Sequence, residues 1–532
     1  MTDDVNAGTS SRVWRGRILR ATTAVAALGL VAAVVASPRP ARGDLAGASD
    51  ATLVAVAPPR TTLVCAGPLI LPAAGSADSA FNRVPVAPVT RVDAVTAPGA
   101  DATAATGSLA LLGAATATAA LDPSTGSASA GIDGPSAPVV VQADPAGSDP
   151  ARAAGVTSAL VTAGDLRGLT ASSCQRPATD LWLVGGSTEI SSSADLVIDN
   201  AGSTSSDVTV EVWGPSGKVE LAGGEHVLVA PGSEQVVGLP GIAAEQRRLV
   251  VHLAAAGGNI AAHVQDSLLR GFTPAGTDLV VPGAAPATRQ VVSGIVVGAS
   301  TVADSDPAVL RVLVPGGTAA TAQITMLGPD GVVALPGADS IDVAPGEVTD
   351  VPLGGLPPGA YTAVVDAPVP LVAAAMITRP GLPGELDDTP TLERAWVASA
   401  TSGAGSLVAV PRGTSASLVI GAVAAGADTT AGGAVTANLR ALGPDGSVVT
   451  ERAISVAAGS TTHLDVANLG LGVTGIELEP AGDDPAGVRF AWSLIVTVTQ
   501  ADGELVSVLL PTPDGQDVKQ VPVRAGTRLG LG

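Results

Sequence analysis

At 532 residues the chain has room for roughly three to five domains of ordinary size, each able to bury a core of its own. Its 65 Gly and 41 Pro fall short of a disordered composition. Five Trp, three Phe and one Tyr leave few platforms for stacking on sugars or bases and few of the anchors that dominate protein interfaces, and a net charge of −21 sets nucleic-acid binding aside.

Residues 1–20 form a basic flank carrying Arg12, Arg15, Arg17 and Arg20, ahead of an uncharged run over 21–37 that ends before Pro38, Arg39 and Pro40. A basic flank followed by an apolar run reads as a Sec-type export signal, with the N-terminus inside and the bulk extracytoplasmic. The 17-residue run spans about 25 Å as a helix, a little short of the ~30 Å hydrocarbon core. An uncleaved signal anchor that meets the membrane through this helix is the preferred reading. Cleavage at Val34-Val35-Ala36, leaving a secreted protein, stays open. A linker is expected over 38–50.

A β-rich domain is expected over 51–178, bracketed by Cys65 and Cys174, the only two cysteines. An even count on the exported side predicts one disulfide, worth on the order of 4–5 kcal/mol for a loop of about 110 residues. Within it, apolar runs such as Leu109-Ala110-Leu111-Leu112 and Val139-Val140-Val141 stand in an Ala-, Thr-, Ser-, Gly- and Pro-rich stretch, so the domain is expected to need its staple.

Three similar turns follow, Gly214-Pro215-Ser216-Gly217, Gly328-Pro329-Asp330-Gly331 and Gly443-Pro444-Asp445-Gly446, a spacing suited to repeated small domains rather than a solenoid. Each ends a strand of period two: Val208, Val210 and Val212; Ala322, Ile324 and Met326; Ala437, Leu439 and Ala441 alternate with polar or charged residues. Short strands punctuated by turns, without helical periodicity after the N-terminus, predict an all-β chain. It would hold three tandem immunoglobulin-like β-sandwiches over 179–286, 287–392 and 393–515, with a C-terminal tail over 516–532.

Motifs for chemistry are missing: there is no nucleophile elbow, phosphate loop, H-E-x-x-H or EF-hand, and Gly217-Lys218 ends in Val219 rather than a hydroxyl residue. If Gly257-Gly258 closes a two-residue hairpin, His252 and His263 face each other across two strands and become weak metal candidates. Their same-face neighbours Val250, Ala254, Ala261 and Gln265 add no carboxylate or thiolate, so a structural pair is expected and no cofactor is assigned. His226 and His463 read as solvated strand residues, and Asp387-Asp388 and Asp483-Asp484 as solvated loop charge.

Leu63-Val64-Cys65-Ala66-Gly67-Pro68, Gly164-Asp165-Leu166-Arg167-Gly168-Leu169 leading to Cys174, Asp180-Leu181-Trp182-Leu183-Val184-Gly185-Gly186 and the Gly-Pro-Ser-Gly turn together carry a resemblance. The chain resembles an actinobacterial family of exported, membrane-anchored proteins catalogued only as a domain of unknown function. That resemblance implies no catalytic residues. Members of that family look to be encoded near a large membrane glycosyltransferase, which hints at envelope polysaccharide assembly, and an envelope glycosyltransferase or wall-assembly proteins are the expected partners.

The expected function is a non-enzymatic cell-envelope scaffold or interaction protein, with Trp213, Leu327 and Leu442, immediately before the turns, as its candidate interaction surface. The alternative is a wall-directed enzyme or accessory acting on glycosides through unmarked carboxylates such as Glu189, Asp195 and Asp199.

Overall fold

The computed structural model describes residues 52–56, 58–72, 81, 86–98, 104–123, 126–145, 150–383, 388–403, 405–424, 433–482, 487–514 and 520–523. The expected flank, anchor and linker over 1–50, Asp387, Asp483-Asp484 and most of the tail lie outside these residues. Among the described residues no helix is long and apolar enough to cross a membrane.

The chain divides into two compact units. One, formed by 1–56 with 518–532, contains an antiparallel ribbon in which Thr52–Ala55 pairs with Gln520–Val523. Residues 52–55 therefore pair outside the domain expected to begin at 51.

The other unit, 57–517, is nearly all β and built from four pairs of sheets. The repeat expected in three copies is present in four, the first lying in the β-rich domain, and all four share one strand order. In the first pair, one sheet has the order Thr61–Cys65, Val139–Ala143, Gly107–Leu111, Ala119–Leu121, and the other Ala128–Asp133, Val89–Ala97, Arg152–Val161, Gly168–Ser173. Counting the main strands of that pair as one to eight, the orders are 1-6-3-4 and 5-2-7-8. The second pair, beginning with Asp180–Val184 and ending with Thr273–Val280, has the same orders, as does the fourth, from Ser406–Ala409 to Gly503–Leu509.

The third pair differs in one respect. Its sixth and seventh strands are one continuous segment, Gly359–Pro383, whose first part pairs with Ala287–Val297 and Ala320–Gly328 and whose second pairs with Val309–Leu313 and Pro390–Ala398. The expected boundary at 392/393 thus cuts through Pro390–Ala398, a strand held by the third pair's own sheet.

Alternation explains why each pair closes on itself. Val208, Val210, Val212, Ala322, Ile324, Met326, Ala437, Leu439 and Ala441 are all buried, as the period-two pattern requires. Each core takes side chains from both sheets: Leu63, Leu109 and Val141 with Val92 and Ala94 in the first pair, Leu407, Leu439 and Ile476 with Leu418, Leu494 and Leu505 in the fourth.

Gly257-Gly258 does not close a hairpin. Val250–Ala256 is already hydrogen-bonded on both edges, to Asp180–Val184 and Ser206–Gly214, so Ala261–Arg270 has no edge left to pair with. It crosses to the opposite sheet and pairs with Ser192–Asn200 and Thr273–Val280. His252 and His263 consequently lie in different sheets, which removes the expected cross-strand pair.

Each turn after a third strand docks on the next sheet pair, and this contact recurs around a closed circuit. Gly113, at φ 76°, lies so close to the second pair that a side chain there would meet the Gly232 carbonyl at 2.5 Å. Val348 N–H donates to the Gly214 carbonyl at 3.0 Å, and Thr461 Oγ1 to the Leu327 carbonyl at 2.7 Å. Ser129 Oγ of the first pair then donates to the Pro444 carbonyl of the fourth at 3.0 Å. The unit is a ring, not the extended array the repeats suggest.

Ring closure corrects the expected interaction surface. Trp213, Leu327 and Leu442 are only 6, 1 and 0 % exposed. Trp213 packs with Leu313, Val348 and Val372 of the third pair, Leu327 with Val423 and Ala491 of the fourth, and Leu442 shares a core with Val95 and Ala97 of the first. The outward parity of their strands is filled by a neighbouring sheet pair. Trp213→Ala is expected to destabilise the protein by about 3–5 kcal/mol through the cavity it leaves, measurable by urea denaturation.

Candidate functional site at the junction of the inner strands

The eighth strand of every pair, Gly168–Ser173, Thr273–Val280, Pro390–Ala398 and Gly503–Leu509, is the last of its sheet, and these four strands meet. Their free backbone groups face one another without a shared ladder, so side chains complete the hydrogen bonding. Ser507 Oγ lies 3.1 Å from Ala171 N, 3.0 Å from Ala171 O and 3.0 Å from Asp278 Oδ1. Asp278 Oδ2 accepts from Trp396 N at 2.7 Å, and Glu393 Oε1 from Leu169 N at 2.8 Å. Four sheet pairs are tied at one buried place.

A second layer supports the first. Trp396 Nε1 donates to Asp266 Oδ2 at 2.9 Å, and Arg394 Nη2 reaches the same oxygen at 3.1 Å while its Nε donates to the Ala275 carbonyl. The Arg311 guanidinium lies 4.8 Å from the Trp396 ring centroid and forms two bonds to Asp350. Arg167 grips Asp502 through two bonds of 2.5 and 2.8 Å and stands 3.9 Å from Glu393 Oε2.

Burial dominates the protonation chemistry here. It pushes the Asp278 carboxyl up to about 8, helped by the Asp266 charge and opposed by the hydrogen bonds from Trp396, Leu279 and Ser507. Burial also drives Glu393 well above the usual carboxylate range, against the pull of the Leu169 N–H and Arg167. The bonds from Arg167 hold Asp502 below its ordinary value despite partial burial.

Near this junction the segments following the eighth strands converge. Each caps the first strand of its own sheet pair: Gln175 on Val64, Gly283 on Trp182, Ala400 on Val291 and Thr512 on Leu407. A cavity of ≈ 310 Å³ lies among them, walled by Pro282, Phe490, Trp492, Leu510 and Pro511, with Arg176 contributing a cation. Trp492 Nε1 is fixed by a 2.8 Å bond to Ser406 Oγ.

Cys65 and Cys174 are disulfide-bonded, and Cys174 also lines this cavity. His263 is buried, and burial pushes its imidazole down to about 4. His252 instead stacks on Trp182, 4.2 Å between centroids, with Nδ1 2.8 Å from Glu211 and Nε2 3.3 Å from Asp180. Burial raises the Glu211 carboxyl, but hydrogen bonds from Lys218 and His252 bring it below its ordinary value. Among the described residues no group of three His, Cys, Asp or Glu side chains is placed to hold a metal ion. His226 is exposed beside Asp207, and His463 stands 3.9 Å from Asp465.

The three unmarked carboxylates are not brought together. Glu189 is exposed, whereas Asp199 is buried, and burial with the Glu234 charge pushes its carboxyl well above the normal range. Burial raises Asp195 as well. Asp195 and Asp199 are four residues apart on the strand Ser192–Asn200, roughly 13 Å from Cα to Cα, beyond the spacing of a glycosidase pair. The residues that do converge, Asp278, Glu393, Arg394 and Ser507, were not singled out from sequence. Their available signal was charge inside otherwise apolar strands, Thr277-Asp278-Leu279-Val280 and Leu392-Glu393-Arg394-Ala395-Trp396.

No curated protein matches the chain. A solved α-L-rhamnosidase of Streptomyces avermitilis, in complex with L-rhamnose, aligns with 79 % of this chain and 54 % of its own at 11 % identity, with a TM-score of 0.10. The chain spans about half the length of that enzyme, and no fold relationship follows at that score. Over residues 127–467, which reach from the first sheet pair into the fourth, the sequence matches a family of unknown function, DUF5719, and the chain belongs to that family.

Proposed function

We propose that the protein is a non-enzymatic cell-envelope scaffold or interaction protein, exported and held at the membrane by residues 21–37. Its tandem immunoglobulin-like sandwiches close on themselves instead of extending as a spacer. The observation that carries this reading is the turn-to-neighbour contact repeated at Gly113, Gly214, Leu327 and Pro444, which joins the four sheet pairs in a closed circuit. Such a body presents loops and cavities in fixed geometry, the property a docking platform needs. The cavity beside Pro282 and Trp492 is its contact site in this proposal, replacing Trp213, Leu327 and Leu442.

The Cys65–Cys174 disulfide supports an extracytoplasmic setting, because such bonds persist in oxidising compartments. Proteins of envelope polysaccharide assembly are the proposed partners. Mild crosslinking of native membranes, capture of the tagged full-length chain and mass spectrometry are expected to recover them above an unrelated anchored control. An Ala284→Trp variant, which fills the cavity, should lose that recovery while keeping its melting temperature. Recovery equal to the control removes the partner assignment. Hydrolysis of wall polysaccharide by the purified chain would replace the scaffold reading with the enzymatic one.

A further inference from the structure

The hydrogen bonds at Ser507 contain one more demand for a proton than its hydroxyl can meet. Ala171 N can only donate to Oγ, and Ala171 O can only accept from it. The Ser507 hydroxyl has a single proton, and two acceptors lie at 3.0 Å, Ala171 O and Asp278 Oδ1. If that proton goes to Asp278, the buried Ala171 carbonyl loses this partner. If it goes to Ala171, two oxygens face each other across 3.0 Å unless Asp278 brings a proton of its own. A carboxylic acid resolves both demands, since Asp278 Oδ1–H donates to Ser507 Oγ and Ser507 O–H to Ala171 O. Oδ2 remains the acceptor for Trp396 N–H.

The charges around Asp278 fit a neutral group. Asp266, from the neighbouring strand of the same sheet, is the anion that bears on it directly, and Glu393 approaches from the third sheet pair. Arg394 is engaged by Asp266 and the Ala275 carbonyl, and Arg311 by Asp350 and the Gly186 carbonyl. Arg167, from the first pair, is engaged by Asp502 of the fourth, with Glu393 beside it. None of these guanidiniums forms a hydrogen bond or ion pair to Asp278. An ionised Asp278 would be a buried anion next to Asp266 with no cation of its own among the described residues.

We propose that Asp278 is a carboxylic acid in the folded protein at neutral pH, and that its O–H is the donor tying the second sheet pair to the fourth and, through Ser507, to the first. Closure of the ring is thereby coupled to proton concentration. In the unfolded chain Asp278 releases its proton near pH 4, whereas the folded junction retains it to about pH 8. Between those values the unfolded state binds fewer protons than the folded state, so stability falls as pH rises. The contribution is complete below about pH 4 and gone above about pH 8.

Asp278→Asn tests this, because an amide can donate to Ser507 and accept from Trp396 but cannot titrate. Urea unfolding of both proteins from pH 4 to 8 should show the wild-type unfolding constant rising, relative to the variant, by up to about tenfold per pH unit across that range. Asp199 titrates alike in both proteins and cancels, whereas Glu393 is coupled to the Asp278 charge, so both proteins carry Glu393→Gln in this comparison. Parallel pH profiles would overturn the proposal. If the variant does not fold, the infrared C=O band of protonated Asp, read with Asp-selective ¹³C labelling in an Asp199→Asn background, decides instead. The band should be present at pH 7 and fade as the pH passes about 8, and its absence at pH 7 would refute the assignment.

Discussion

Replacing Cys65 and Cys174 with Ser should lower stability by about 4–5 kcal/mol, the chain-entropy value for a cross-link spanning 109 residues. The bond joins the end of Thr61–Cys65 to the residue after Gly168–Ser173, and both flanks lean on it. Cys174 N donates to the Gly155 carbonyl, and Gln175 exchanges two backbone bonds with Val64. Its loss frees the first strand of the first pair and the cap on that strand together. Denaturant titrations of wild type, wild type with reductant and the double Ser variant should place the last two together and well below the first. Hydrogen exchange should show 61–65 and 139–143 losing protection ahead of the other sheet pairs, because Thr61–Cys65 pairs with Val139–Ala143. Coincident midpoints for all three samples would mean the bond contributes nothing to stability.

Arg152→Met should cost about 3–5 kcal/mol at neutral pH and weaken the contact between the first and fourth sheet pairs. Arg152 is on the first pair, and its guanidinium pairs with Glu477 and Glu479 of the fourth and stands 3.7 Å from Asp514. The Glu477 side chain is 1 % exposed, and among the described residues its other cation is Arg440 at 2.8 Å. Burial raises the Glu477 carboxyl while Arg152 and Arg440 pull it down, so removing Arg152 lifts it further. The deficit should therefore shrink as pH falls and Glu477 takes up a proton. Arg152→Met combined with Glu477→Gln should be more stable than Arg152→Met alone. Loss of less than about 1 kcal/mol, or no rescue by the second substitution, would show that this cluster does not hold the ring shut.

Both results bear on the proposed role. A ring is rigid only while its last interface holds, and here that interface joins residues 327 apart in sequence. The first and fourth pairs share a continuous apolar core that includes Val95, Val156, Leu407 and Leu442. They are further joined by the Arg412 bonds to Asp93 and Asp133. A docking platform built this way depends on closure rather than on the stability of any one sheet pair. The disulfide experiment perturbs the first pair itself, and the Arg152 experiment perturbs its contact with the fourth.

The local structure was largely legible in the sequence. Period-two alternation at Val208–Val212, Ala322–Met326 and Ala437–Ala441 specifies half-buried strands, and Gly-Pro-x-Gly specifies the reversals, because both depend on residues a few positions apart. The disulfide was legible too, since two cysteines allow one pairing. Three features depended on tertiary structure. The first pair repeats the others without their turn: Leu112-Gly113 stands where the later copies have Trp213-Gly214, Leu327-Gly328 and Leu442-Gly443, and the Pro that would mark it is missing. Gly257-Gly258 joins two sheets because Val250–Ala256 has no free edge, a fact set by strands far away in sequence. Trp213, Leu327 and Leu442 lie on the outward face of their own strands and become buried only when the ring closes. Alternation states which side of a strand leaves its own core, but whether water or another sheet pair waits there is decided by contacts far away in sequence, such as Trp213 with Val348 and Leu327 with Ala491.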